Sequence, residues 1–191
     1  MLQQLKGEYE QSNVVFIEQD VDEPIGNRLD RWFAGHGIPG TVYLPLVMVD
    51  SGDTVRSGSE DYHAAYGAMV DEAMDRPASA RMTATGTLSG SFMRFDVQLT
   101  NTTGNTLSAA NGATLVALFW SEPVSSSAVP IVGASGSAAI STLEDGETGS
   151  YRFEVPIGSI DPNRLRWVVL AEAQPPDSTG AYDMLQAVAG P

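Results

Sequence analysis

The chain has 191 residues, enough for one large domain or two modest ones, and 42% of them are hydrophobic, which supports packed cores and excludes wholesale disorder. Its formal charge is −14, carried against only nine Arg and one Lys with no cationic cluster, so a nucleic-acid surface is not expected. No cysteine is present, which excludes a disulfide framework, a thiolate metal site and a thiol nucleophile.

No apolar run approaches the roughly 18 residues of a membrane helix, so membrane insertion is not expected. The first five residues lack a basic patch followed by an apolar stretch, and hence are no secretory signal. Either the protein is cytoplasmic or its native start lies upstream of Met1.

Leu2, Leu5 and Tyr9 fall at helical spacing, and residues 14–17 (Val-Val-Phe-Ile) predict a short buried strand. Asp22, Glu23 and Pro24 form a helix-start signal, because Asp accepts orphan amide hydrogens and Pro suits the first turn. Ile25, Leu29, Trp32 and Phe33 give that helix one apolar face, ending at Gly35 or Gly37.

Residues 42–49 read as an apolar strand, turned at Asp50, Ser51, Gly52 and Asp53 into a short partner around Val55. Ser57 and Glu60 have capping-box spacing before a helix whose face carries Tyr62, Tyr66, Met69, Val70 and Ala73, closed by Arg76 and Pro77.

From Arg81 onward the period becomes two. Met93, Phe95, Val97 and Leu99 alternate with polar residues, as do Tyr151, Phe153 and Val155. The runs 115–120 and 167–171 are continuously apolar, as expected of central sandwich strands. With 82–88, 138–142 and 182–188 this makes about seven short strands, the number a β-sandwich needs. The change of pattern predicts a boundary near Pro77, with domains at 1–76 and 77–191.

The succession Tyr43, Leu44, Pro45, Leu46, Val47, Met48, Val49, with its element order, resembles the thioredoxin family over residues 2–74. The resemblance implies an α/β part running from the helix after the redox motif to the last helix, with Leu44-Pro45 at the cis-proline loop. Neither the family's Cys-x-x-Cys nor the first strand that carries it is in this sequence. That strand would sit between 14–17 and 42–49, so the slot is expected to be filled by an upstream strand or by a segment added from elsewhere. Leu44 and Pro45 carry over as a peptide-docking position only.

Residues 95–104, with Asn101, Thr102, Thr103 and Gly104, and the later Leu143, Glu144, Asp145, Gly146, Glu147 and Thr148 resemble immunoglobulin-like modules of bacterial surface proteins, which act as spacers or binding platforms. The fold class expected is thus a thioredoxin-like α/β part followed by an all-β immunoglobulin-like sandwich.

No catalytic or cofactor-binding residue is assigned. His36 and His63 lie near no Gly-x-Ser-x-Gly elbow and read as structural or surface residues. Asp20, Asp22 and Glu23, and Asp50 with Asp53, lack EF-hand spacing; capping and turn formation account for them, and no metal site is expected. Glu144, Asp145 and Glu147 flank Gly146 at what reads as a solvated hairpin tip, without the cleft paired catalytic carboxylates need. Asn101-Thr102-Thr103 matches a glycosylation acceptor by a three-residue pattern.

The expected function is a non-catalytic binding or structural module of an extracytoplasmic protein (secreted, periplasmic or cell-surface), contacting protein or peptide. The alternative is the remainder of a longer thiol-disulfide oxidoreductase whose Cys-x-x-Cys lies upstream of Met1.

Overall fold

The computed structural model describes residues 2–19, 28–37, 46–58, 61–123, 128–176, 178 and 180–190. The chain is mainly β-sheet with few helices. The helices are α1 (Leu2–Glu8), α2 (Arg28–His36) and α3 (Tyr62–Asp75), and between α2 and α3 lies a hairpin of β1 (Leu46–Val49) and β2 (Thr54–Ser57). Seven longer strands follow: β3 (Ala80–Ser89), β4 (Phe92–Asn101), β5 (Thr114–Ser121), β6 (Val132–Ala139), β7 (Thr148–Pro156), β8 (Leu165–Ala173) and β9 (Asp183–Gly190).

These seven form two antiparallel sheets, ordered β3-β4-β7 and β6-β5-β8-β9. Alternation places Met93, Phe95, Val97 and Leu99 of β4 inside, opposite Leu115, Ala117 and Phe119 of β5 and Trp167, Val169 and Ala171 of β8. Phe95 anchors this core, with the Trp167 ring edge-on at 5.1 Å and Phe119 at 5.8 Å. The sheets approach closely beside β6, because a Cβ on Gly136 would meet Val155 Cγ1 at 2.6 Å.

The other face of the four-stranded sheet is apolar too. Val116, Leu118 and Trp120 of β5, Val132 of β6, and Val168 and Leu170 of β8 form a second buried cluster on which Ile17 packs. An antiparallel sheet that faced water there would carry polar residues at these positions. Both faces being covered explains why β5 and β8 read as continuous apolar runs.

Residues 14–17 therefore are not the strand their sequence predicts. No ladder forms over them among the described residues; Phe16 packs on the cluster of Leu5, Tyr66 and Met69, as Val47 and Val49 do, while the next side chain, Ile17, turns to the sandwich. An apolar run results because the segment is a strap serving two surfaces. Among the described residues its only ladder contact is a parallel bridge from the adjoining Glu18 to Ile131, with Glu18 N–H donating to Pro130 O at 2.8 Å and Val132 N–H to Glu18 O at 2.9 Å. Among the described residues, β1 pairs with β2 alone.

Other expectations need correction. The N-cap of α3 is Asp61, whose carboxylate accepts from Ala64 N–H at 3.1 Å, and Ser57 instead ends β2. Phe33 is 37% exposed and only leans edge-on against the buried Trp32. The strand expected at 138–142 lies earlier, as β6, because small Gly, Ala and Ser residues hide its periodicity; Ile140 beyond it is buried, its N–H bonded to Ala113 O. The turn of Glu144, Asp145 and Glu147 is no hairpin tip, since it joins β6 of one sheet to β7 of the other.

Candidate functional site: a charged junction

The sharpest local geometry is at the β1–β2 turn. Asp50 and Ser51 have φ of 48° and 61°, left-handed values that non-glycine residues rarely adopt. The turn directs the Asp50 and Asp53 carboxylates at Arg76, whose backbone N–H closes α3 on Ala73 O. Arg76 Nη1 lies 3.6 Å from Asp50 and touches Asp53, while Nη2 reaches Asp183, the first residue of β9, at 2.6 Å.

Burial pushes the Asp50 carboxyl above its usual range; Arg76 opposes this, and Asp183 and Asp53 add to it. Burial alone would lower Arg76, but its bond to Asp183 and the charges of Asp183, Asp53 and Asp50 raise it overall. Ser51, 7% exposed, has no hydrogen-bond partner for its hydroxyl among the described residues.

Beside this group, Arg31 of α2 crosses to Glu172 of β8, Nη1 to Oε1 2.5 Å, with the carboxylate fully buried at a register shift in the β8–β9 ladder. The same guanidinium lies over the Tyr182 ring at 3.8 Å. A shallow cleft of about 100 Å³ adjoins Asp183, walled by Thr103, Asn105, Asn111, Gln174 and Pro175.

The residues singled out from sequence are placed as follows. His36 stacks on Trp32 at 4.7 Å, and His63 Nε2 lies 2.9 Å from Glu8 Oε1, linking α3 to α1. Asp50 and Asp53 join the junction as ligands of Arg76. Glu144, Asp145 and Glu147 brace the crossover to the β4–β5 loop: Thr106 Oγ1 donates to Glu144 at 2.6 Å, Gly104 N–H to Asp145 at 2.9 Å, and Glu147 accepts from Glu144 N–H at 2.9 Å. Leu44, Pro45, Asp20, Asp22 and Glu23 lie outside the described residues.

Sequence reasoning missed Arg31, Glu172 and Asp183, and read Arg76 only as a helix terminator. One signal was present: Glu172 is the lone charge in the apolar stretch of β8 beyond Trp167, where an unpaired carboxylate could not be buried. Chemically the arrangement pairs charge across elements and aligns no nucleophile with a base. Among the described residues no group of three His, Asp or Glu side chains could hold a metal ion, and no helix is long and apolar enough to cross a membrane.

No protein-family model matches the chain, and no curated protein matches it. Solved structures similar to it include a red sea bream transglutaminase, 11% identical with a TM-score of 0.36 over 70% of this chain and 19% of that one. A β-glucosidase involved in saponin metabolism from intestinal bacteria is 17% identical, with a TM-score of 0.30 over 59% of this chain and 16% of that one. The chain thus spans less than a fifth of either protein.

Proposed function

We propose that the chain is a non-catalytic structural and binding module of an extracytoplasmic protein, in which a redox-inactive thioredoxin-like part is packed against an immunoglobulin-like sandwich. The observation that carries this reading is the covered outer face of the β6-β5-β8-β9 sheet. Ile17 and the strap occupy it, Arg31 and Arg76 pin one end, and Lys6 donates to Ala128 O at 2.8 Å near the other. The charged groups at this junction are engaged in holding elements together, which suits a platform better than a catalyst.

The seven-strand, three-on-four arrangement with its sheet-crossing β6–β7 connection supports the immunoglobulin-like assignment. The helix–hairpin–helix succession of α2, β1, β2 and α3 supports the thioredoxin-like one. On this reading the boundary falls near Pro77, between α3 and β3, and the partner is a protein or peptide.

The test is the reduction of insulin with dithiothreitol as electron source: no thiolate is available to exchange disulfides, so turnover should equal that of a protein-free blank. Faster turnover would overturn the reading. Reading the gene upstream separates the oxidoreductase alternative, which requires an in-frame signal followed by a strand and Cys-x-x-Cys.

A further inference from the structure

The junction is unbalanced in charge. Among the described residues Arg76 is the one cation touching Asp50, Asp53 and Asp183, which leaves two carboxylates in excess there. Arg31 of α2 packs beside Gly52 of the same turn, but its guanidinium is directed at Glu172 of β8 and the Tyr182 ring. Asp50 and Asp183 are each only 18% exposed in their side chains, so water screens their repulsion poorly.

We propose that this junction is a proton-responsive latch: at neutral pH the excess negative charge loosens the hold of the Asp50–Asp53 turn on β9, and uptake of one proton at Asp50 tightens it.

Asp50 is the natural acceptor. It stands farther from Arg76, at 3.6 Å, than Asp183 at 2.6 Å or Asp53 in contact, and it sits on left-handed backbone that fixes its carboxylate near both. Among the described residues the groups facing it are Asp53 from the turn, Arg76 from the end of α3, and Asp183 from β9; Arg31 of α2 lies beside Gly52. Burial also raises its proton affinity in the folded state.

The sign follows from linkage. A carboxyl whose folded pKa is raised binds its proton in the native state at a pH where the unfolded chain has already released it. Its contribution to stability therefore grows as pH falls through the folded titration and is lost as pH rises through it, the reverse of an ordinary paired carboxylate.

Acidification also relieves the chain's general self-repulsion, so a charge-matched control is needed. Asp50→Asn and Glu10→Gln each remove one negative charge, Glu10 lying exposed just beyond α1. Thermal unfolding of the full chain would be followed between about pH 7.5 and 5, a window above and approaching the carboxylate range. At the upper pH, Asp50→Asn should melt above wild type by about 2 °C or more, and Glu10→Gln by less than about 1 °C. The gain of wild type on acidification should exceed that of Asp50→Asn.

In the unmutated protein, the Asp50 carboxyl carbon should titrate above the usual range by NMR, with the Arg76 Nε and Tyr182 amide signals following the same midpoint. Parallel melting curves for all three proteins, or an Asp50 that titrates in the ordinary range without moving Arg76, would overturn the latch. The NMR titration decides the matter if Asp50→Asn does not fold.

Discussion

Arg31 places its Nη1 2.5 Å from Oε1 of Glu172, a carboxylate with no solvent exposure. The pair joins α2 to the sandwich strand β8, and the guanidinium gains a second partner in the Tyr182 ring. Their two exposures, 11% and 0%, make this a buried pair, in which removing one partner costs far more than the pair itself contributes.

Arg31→Ala should accordingly destabilise the protein in urea unfolding, by at most about 3–5 kcal/mol, because the buried Glu172 carboxylate loses this guanidinium. The apolar double variant Arg31→Met with Glu172→Leu should recover most of that loss. A single substitution that unfolds at the wild-type midpoint would show that the pair does not join the two elements in solution.

The strap gives a second prediction. Ile17 is partly buried on the cluster of Val116, Leu118, Trp120, Val132, Val168 and Leu170, so Ile17→Ala should cost about 1–2 kcal/mol, below the roughly 2–5 kcal/mol of a fully buried site. The change should be local. Hydrogen exchange at Val132, whose amide donates to Glu18 O, should accelerate while core amides such as those of β4 keep their protection. Uniform acceleration throughout the sandwich would mean that the strap does not open separately.

These two features mark where the sequence was readable and where it was not. Strands β4 and β7 alternate cleanly because each has one face inward, and their alternation gives them away. Strands β5 and β8 show continuous apolar residues, a pattern that signals burial but not what lies on the second face. Residues 14–17 produce the same signal from a segment without a ladder, since Phe16 and Ile17 serve different clusters. The junction escaped because its residues are distant in sequence, and Arg31, Arg76 and Asp183 each look like a solvated charge. Only Glu172, isolated in an apolar run, demanded a partner.

Tyr9 offers a pH-dependent test. Its hydroxyl donates to Asp71 Oδ1 at 2.5 Å and to Gly67 O at 3.2 Å, tying the end of α1 to α3. The bond to Asp71, aided by burial and by the charges of Asp71 and Glu8, pushes the phenol up to about 12. A raised phenol stabilises the fold fully below its unfolded value, and that contribution is lost as pH rises through the folded one. In an ultraviolet titration of the six tyrosines, Asp71→Asn should return one phenol toward the ordinary value near 10. An unchanged titration would place Tyr9 away from Asp71.

Asn101 begins an Asn-x-Thr pattern yet is fully buried. Its Nδ2, the atom a glycan would occupy, donates to Asn105 O at 2.7 Å and Leu143 O at 2.9 Å. Its Oδ1 accepts from Thr103 N–H at 3.0 Å and Thr103 Oγ1 at 2.8 Å. Both ends of the amide thus knit the β4–β5 loop to the β6–β7 crossover, and the folded chain has no room for a sugar there. Secreted from a glycosylating host, the protein should carry no added mass at Asn101, and Thr103→Ala, which destroys the pattern, should leave the mass otherwise unchanged. The same variant should lose about 1 kcal/mol through its missing hydroxyl donor, and Asn101→Ala about 2–4 kcal/mol, because the buried amide's bonds to Leu143 O, Asn105 O and Thr103 are lost together. A glycan found on Asn101 of natively folded protein would refute this placement of the loop.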